Sequence, residues 1–326
     1  MRISVAMCTY NGEKYLDEQL QSIARQTRLP HELVVCDDGS SDSTPKIIEE
    51  FSRSAPFPVR FIRNPENLGS TKNFEKVIGL CTGDLIALSD QDDIWLPEKL
   101  ARQVEMMDSD PALGGVFSDA ELITGTPQQV NGRLWASFLF TPRKQTRFKS
   151  GQAASILLSG NVVTGATLMI RSSVRGACLP IPASWVHDSW IAWMIVLHSK
   201  LGMIDNALIQ YRIHDSQQVG IDGTSYARLP LRQRFEAARR EEAAKHLAVA
   251  AEFDELKQRA HEIGSTQSLS AISAIEGKIR FLQERGTSYK NRGYHLFHVL
   301  CNAHNYRTYE RSLKDLLRDV AILVLT

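Results

Sequence analysis

Leu85-Ile86-Ala87-Leu88-Ser89-Asp90-Gln91-Asp92-Asp93-Ile94-Trp95 is an apolar run that closes on three carboxylates within four positions. The run has the unbroken apolar character of a strand buried on both faces, as in parallel sheets covered by helices. Clustered carboxylates repel one another, so hydrogen-bond donors or a cation must offset them. A surface turn is one reading, because Asp is common in turns. A site for a divalent cation, which takes hard oxygen ligands, is the other.

Outward from this stretch the same grammar repeats. Residues 3–8, 32–36, 59–62 and 84–88 are strand-like, and residues 13–26, 43–51 and 71–80 between them carry helical faces. Ser43 or Asp42 can cap the second helix, and Pro45 suits its first turn. Strand and helix in alternation predict an α/β fold with a doubly wound, mostly parallel sheet flanked by helices. Ligands of such sheets bind beyond the carboxyl ends of the strands. Those ends lead here into Thr9-Tyr10-Asn11-Gly12, Asp37-Asp38-Gly39-Ser40, Asn64 to Gly69 and Asp90 to Asp93, four polar loops at one rim. Further on, residues 113–117, 166–171 and 208–213 look like strands and 185–198 like a helix start. From residue 226 the pattern is helical, with breaks expected near 264–268, Gly286 and Gly293.

Composition narrows the partners. The 326 residues are 43% apolar and 23% charged, with a net charge of +1, which argues against nucleic acid. Residues 226–326 hold 17 Lys and Arg against 12 Asp and Glu, a mildly basic tail compatible with an anionic membrane surface. The five cysteines are scattered without CxxC spacing, so a reducing compartment is expected. The opening MRISVAMCTY lacks the apolar core of a signal peptide, and no run reaches the ~20 apolar residues of a membrane span. The expected location is cytoplasmic, with peripheral membrane contact open. Residues 135–140, apolar and aromatic, are open to a lipid-linked partner or to core packing.

Individual motifs carry chemistry. Asp90-Gln91-Asp92 directly after a strand fits a metal site. Asp38 can hold a base edge or ribose, or simply close a turn. No G-x-G-x-x-G or G-x-x-x-x-G-K-[ST] is present, which argues against Rossmann and P-loop sites. Asp188, after His187 and among Trp185, Trp190 and Trp193, is either a helix cap or a general base. His214, two residues after Arg212, can complete a metal sphere or meet a diphosphate. The small-residue stretch 161–167 suits close approach of a ligand.

In this order ISVAMCTYNGEKYL, ELVVCDDGSSDST, NLGSTKNF, GDLIALSDQDDIWLPEKL, VTGATLMI, HDSW and YRIHDSQQVG resemble the inverting glycosyltransferases of family 2, which have the GT-A fold, and most of all their bacterial rhamnosyltransferase branch. The resemblance spans residues 2–220. It implies a GT-A domain over 1–222, with a nucleotide-binding half at 1–95 and an acceptor-binding half at 96–222, then a helical C-terminal extension at 223–326. It implies a donor site of Thr9, Tyr10, Asn11, Asp38, Asn67, Lys72, Asp90 and Gln91. Asp92, Asp90 and His214 would hold Mg²⁺ or Mn²⁺, and Asp188 would be the catalytic base. Thr164, Gly165, Ala166, His187 and Trp190 would shape the sugar or acceptor pocket. The implied donor is a nucleotide-sugar, dTDP-rhamnose ahead of UDP-sugars, and the acceptor a glycan or lipid-linked saccharide of bacterial surface polysaccharide synthesis. Self-association through the helical tail is a further expectation. A nucleotidyltransferase and a catalytically silent sugar-nucleotide-binding scaffold are the competing classes.

Overall fold

The computed structural model describes residues 1–124, 130–214, 231–289, 292–310 and 314–325. The chain divides into two compact units, Met1–Lys149 with Val162–Ser216, and Ser150–Asn161 with Gln217–Thr326. The expected boundary at 222/223 and residues 215–220 of the last motif lie outside the described residues.

The first unit is built on a single sheet. Its strands are β1 (Ile3–Thr9), β2 (Glu32–Asp37), β3 (Val59–Arg63), β4 (Leu85–Ser89), β5 (Ile94–Trp95), β6 (Leu113–Thr124), β7 (Val130–Arg133), β8 (Met169–Arg171) and β9 (Lys200–Ile213). Their spatial order is β3-β2-β1-β4-β8-β6-β9-β5, with β7 beside β6. β1 to β4 are parallel, Val5 facing Leu33 on one side and Ala87 on the other. Every residue of β1, β2 and β4 is buried, which is why these segments are continuously apolar in sequence. Helices α1 (Leu16–Ala24), α2 (Thr44–Ser52) and α3 (Ser70–Leu80) make the crossovers. α1 turns Leu16, Leu20 and Ile23 inward, one helical face, and each such side chain contributes about 1.5–3 kcal/mol by leaving water. Strand order reverses at β1, so the loops after β1 and β4 flank the crevice where open α/β sheets bind ligands.

Beyond β4 the sheet is mixed. β8 is antiparallel to both β4 and β6, β5 is antiparallel to β9, and β6 pairs with β9 in parallel. β6 and β9 run well past the segments expected for them. Register shifts at Ser118, Asp119 and Glu121 let polar residues stay in the strand, and Asp119 accepts the amides of Ala120 and Trp135. The unit's remaining helices are α4 (Lys99–Ser109), α5 (Leu134–Ser137), α6 (Pro142–Lys149), α8 (Arg175–Cys178) and α9 (His187–His198). Residues 135–140 are core rather than membrane surface. Trp135 and Phe140 are buried in a ring cluster with Phe117 and Phe148, while Ala136, Ser137 and Leu139 are exposed.

The second unit is helical among its described residues: α7 (Ala153–Ser159), α10 (Leu231–Ile263), α11 (Thr266–Ser288), α12 (Arg292–Cys301), α13 (Ala303–Tyr309) and α14 (Lys314–Leu325). Gly264, at φ 63, ends α10, and Ser265 caps α11 by accepting the Ser268 amide at 3.0 Å. The breaks expected near Gly286 and Gly293 correspond to the end of α11 at Ser288 and the start of α12 at Arg292, with both glycines just inside their helices. A Cβ at Gly286 would stand 2.9 Å from Leu247 Cγ and 3.1 Å from the Ala243 carbonyl, so this glycine serves the close approach of α10 and α11. No described helix is long and apolar enough to cross a membrane. Cys8, Cys36, Cys81 and Cys178 are buried free thiols, and Cys301 is exposed.

Candidate active site

The donor rim is laced together by backbone and short polar side chains. Thr9 Oγ1 donates to Asp37 Oδ1 at 3.0 Å. Tyr10 N donates to Gln91 Oε1 at 2.8 Å, and Gln91 Nε2 donates to Tyr10 O at 3.1 Å, so the amide of Gln91 ties the loop after β4 to the loop after β1. The Tyr10 ring stays exposed. Asn11, in the left-handed region at φ 47, accepts the Ser41 amide at 2.9 Å. Asp38 is buried and accepts Leu68 N at 2.8 Å, Asn64 Nδ2 at 2.8 Å and Gly69 N at 2.9 Å. Asn67 Nδ2 donates to the Asp38 carbonyl at 3.1 Å. Asp38 and Asn67 thus brace the loop after β3, and most of the Asp38 carboxylate is committed there. Lys72 is not brought to this rim. Its ammonium donates to Glu75 at 2.8 Å and to the Ile181 carbonyl at 2.7 Å.

The acids after β4 form the electrostatic centre. Asp92 Oδ2 lies 2.9 Å from His214 Nε2, both half-buried, so residues 122 apart in sequence meet because β9 ends beside the loop that β4 begins. Burial, then the charges of Asp92 and Asp188, push the Asp90 carboxyl above its ordinary range, against the pull of Lys99. Burial, then the charges of Asp92 and Asp90, also push Asp93 well above its ordinary range, against the Arg212 amide and Lys99. Negative charge here is under-compensated, which is the condition a bound cation relieves. Among the described residues no three His, Cys, Asp or Glu side chains converge as a closed cage. Asp92 and His214 fit a divalent ion that draws its other ligands from water and substrate oxygens, and Asp90 is not gathered into that pair. Arg212 is fully buried, donating Nε to the Asp92 carbonyl at 2.9 Å and NH2 to Glu18 at 2.6 Å, with its guanidinium 4.3 Å from the Tyr15 ring centre. It braces the loop from within instead of offering its charge to a diphosphate.

Opposite stands Asp188, in the first turn of α9, where the helix dipole favours its anion. Val186 takes the N-cap position. Asp188 Oδ2 accepts the Gly165 amide at 3.1 Å, linking α9 to the tight turn Gly165–Thr167, in which Thr164 O accepts both Thr167 N and Thr167 Oγ1. Ala166 is fully buried beneath that turn. His187 stacks on Phe74 at 3.9 Å with neither ring nitrogen hydrogen-bonded, and burial lowers its pKa to about 3. Trp190 is buried, donates Nε1 to the Cys178 carbonyl at 2.9 Å and packs on Trp185. His187 and Trp190 therefore pack behind Asp188 and leave little surface for a sugar. Asp37, Asp93, Lys99 and Glu18 escape a reading of the sequence alone, because the burial and pairing that define their roles are tertiary.

Residues 4–174 match the family model of "Glycosyl transferase family 2", and the chain belongs to that family. A Nostoc sp. protein described as the uncharacterized glycosyltransferase alr2836 is 28% identical over 220 residues, 66% of this chain and 65% of its own length. The dTDP-rhamnosyl transferase RfbG of Shigella flexneri is 37% identical over 105 residues, 31% of this chain and 36% of its own. The chain thus spans just under two thirds of the first relative and about a third of the second. Among solved structures, S. aureus TarS 1–349 with UDP-GlcNAc superposes with a TM-score of 0.53 at 19% identity, covering 97% of this chain and 92% of that one. A Pyrobaculum calidifontis mannosyltransferase with GDP-Man and Mn²⁺ gives 0.55 at 15% identity, covering 99% and 85%. These two show that the fold is GT-A.

Proposed function

We propose that this glycosyltransferase is inverting and dependent on a divalent cation, and that it moves a sugar, rhamnose first, from a nucleotide-sugar to a hydroxyl of a glycan or lipid-linked saccharide. The observation that carries the reading is the meeting of Asp92 with His214 across the rim from Asp188, whose charge reaches Asp90. Support for the donor class comes from structural neighbours that hold UDP-GlcNAc or GDP-Man with Mn²⁺. RfbG, a dTDP-rhamnosyl transferase, supports dTDP-rhamnose over the third of the chain that it matches. Synthesis of a bacterial surface polysaccharide is the pathway this acceptor class fits.

Residue by residue, the exposed Tyr10 ring offers a stacking face to the base, with Thr9, Asn11 and Gln91 shaping its backbone surround. Asp38 and Asn67 hold the adjoining loop. Asp92 and His214 would hold Mg²⁺ or Mn²⁺, with Asp90 adding negative charge nearby, and the ion's charge would neutralise the departing nucleoside diphosphate. Thr164, Gly165 and Ala166 set the wall beside Asp188. Asp188 takes the proton of the acceptor hydroxyl as that oxygen bonds to the anomeric carbon. The bond from this carbon to the diphosphate oxygen breaks on the opposite face and its electron pair leaves with the nucleoside diphosphate, so configuration inverts. Asp188→Asn should lower kcat by about 10²–10⁴ and leave nucleotide affinity near that of wild type, the usual worth of a general base. Equal loss of both would remove Asp188 from this role.

A further inference from the structure

Beneath the D-Q-D turn two charges are buried without full partners. Lys99, the first residue of α4, is fully buried, its ammonium 3.5 Å from the centre of the Trp95 ring and without a hydrogen-bond acceptor. Asp93, equally buried, accepts the Arg212 amide on Oδ1 at 3.0 Å and leaves Oδ2 without a donor. A desolvated cation over an indole gains about 2 kcal/mol, less than the several kcal/mol that taking an ammonium out of water costs. Burial pushes the Lys99 ammonium well below its ordinary pKa, and the charges of Asp93 and Asp90 are the two that act against this.

We propose that Lys99 is a positioning residue, a built-in counter-cation that supplies part of the positive charge the acid cluster needs and thereby weakens divalent-cation binding until a nucleoside diphosphate adds its own negative charge. This deepens the proposed function and rests on Asp92 and His214 as the protein's ligands to the cation. Lys99 allows the acids to stand together in the free protein. It also leaves the cluster less negative than its three Asp residues imply, so cation and nucleotide bind as a pair. Neither role requires Lys99 to touch substrate.

The sign of an affinity change tests this. Mn²⁺ is titrated into the full chain, alone and with saturating UDP or dTDP, and free Mn²⁺ is read from its paramagnetic resonance signal. Lys99→Met, which keeps volume and removes charge, should bind Mn²⁺ roughly tenfold more tightly than wild type without nucleotide, with a smaller gain when nucleotide is present. Asp93→Asn should move the opposite way, weakening Mn²⁺ several-fold. Plain loss of packing would weaken binding in both, so opposite signs exclude a merely structural role. Lys99→Gln serves if the Met variant does not fold, with the same direction expected. Mn²⁺ affinity unchanged or weakened in both Lys99 variants would overturn the proposal. If Asp92→Ala still abolishes binding in that case, the cation site itself stands and only the role of Lys99 falls. Wild type that binds no Mn²⁺ with either nucleotide would sink the cation reading and this proposal together.

Discussion

Glu32 opens β2 almost wholly buried, yet its carboxylate accepts Ser4 Oγ at 2.6 Å, Thr82 N and Thr82 Oγ1 each at 2.7 Å, and Arg60 NH1 at 3.1 Å. Burial alone would raise its pKa, but the donors from Ser4, Thr82 and Arg60 outweigh it and bring the value from 4.5 down to about 2. Because the folded value is the lower one, ionised Glu32 stabilises the fold fully above about pH 4.5, and this is lost as pH falls toward 2. Glu32→Gln should therefore cost on the order of 2 kcal/mol in neutral denaturant titrations and flatten the acid limb of stability in that window. Among single residues, those at strand ends were open to inspection. Asp92 and His214 are polar groups just past a strand, where an apolar run stops, whereas Asp188 opens the helix α9. Lys99 and Asp93 are not legible in this way, since a Lys at a helix start and an Asp in a turn are ordinarily solvated. Lys72 and Arg212 mislead for the opposite reason, being cations already engaged by Glu75 and Glu18.

Elements place these residues through close contacts that only glycine permits. A Cβ at Gly165 would lie 2.6 Å from His187 Nε2, so the turn Gly165–Thr167 and the start of α9 can share the Asp188 hydrogen bond only while position 165 is bare. Gly165→Ala should displace His187 from Phe74, lower kcat by about tenfold through misplacement of Asp188, the proposed base, and leave nucleotide binding little changed, as steady-state kinetics beside direct binding would show. In the helical unit Arg285 on α11 is fully buried against Asp319 on α14, with Nε to Oδ2 at 2.7 Å and NH2 to Oδ1 at 3.0 Å. Tyr289 and Tyr306 also donate to that carboxylate. Asp319→Ala should destabilise the protein by about 3 kcal/mol in denaturant unfolding, because it strands a buried guanidinium. The long periodic helices and the fully apolar strands were evident from pattern. The two-residue β5 was not, because so few residues carry no period; β8 takes only the last three residues of the strand expected at 166–171, and the bareness of Gly286 serves contact with α10.

At the scale of the whole molecule, the parallel half of the sheet follows from sequence because each strand is buried on both faces and so has no polar alternation. The mixed half does not, since its pairing depends on register shifts in β6 that no local pattern announces. The convergence of four loops at one rim was visible once the alternation of strand and helix was accepted, and the strand order places β1 and β4 side by side at its centre. What a chain-wide pattern cannot supply is which side chains at that rim are spent on one another. Here Gln91 binds Tyr10, Asp38 binds the loop after β3, and Asp92 meets His214.

The central claim is that this rim takes a nucleotide through a cation held by Asp92 and His214. Thermal unfolding of the full chain with dTDP, UDP and GDP, each with and without Mn²⁺, tests it most directly. A ligand at about 100 times its Kd adds about 2.7 kcal/mol to the folded state and raises Tm accordingly. The account predicts a rise with one nucleotide that needs Mn²⁺ and disappears in Asp92→Ala. A rise of the same size without Mn²⁺, its persistence in Asp92→Ala, or no rise with any of the three would contradict it.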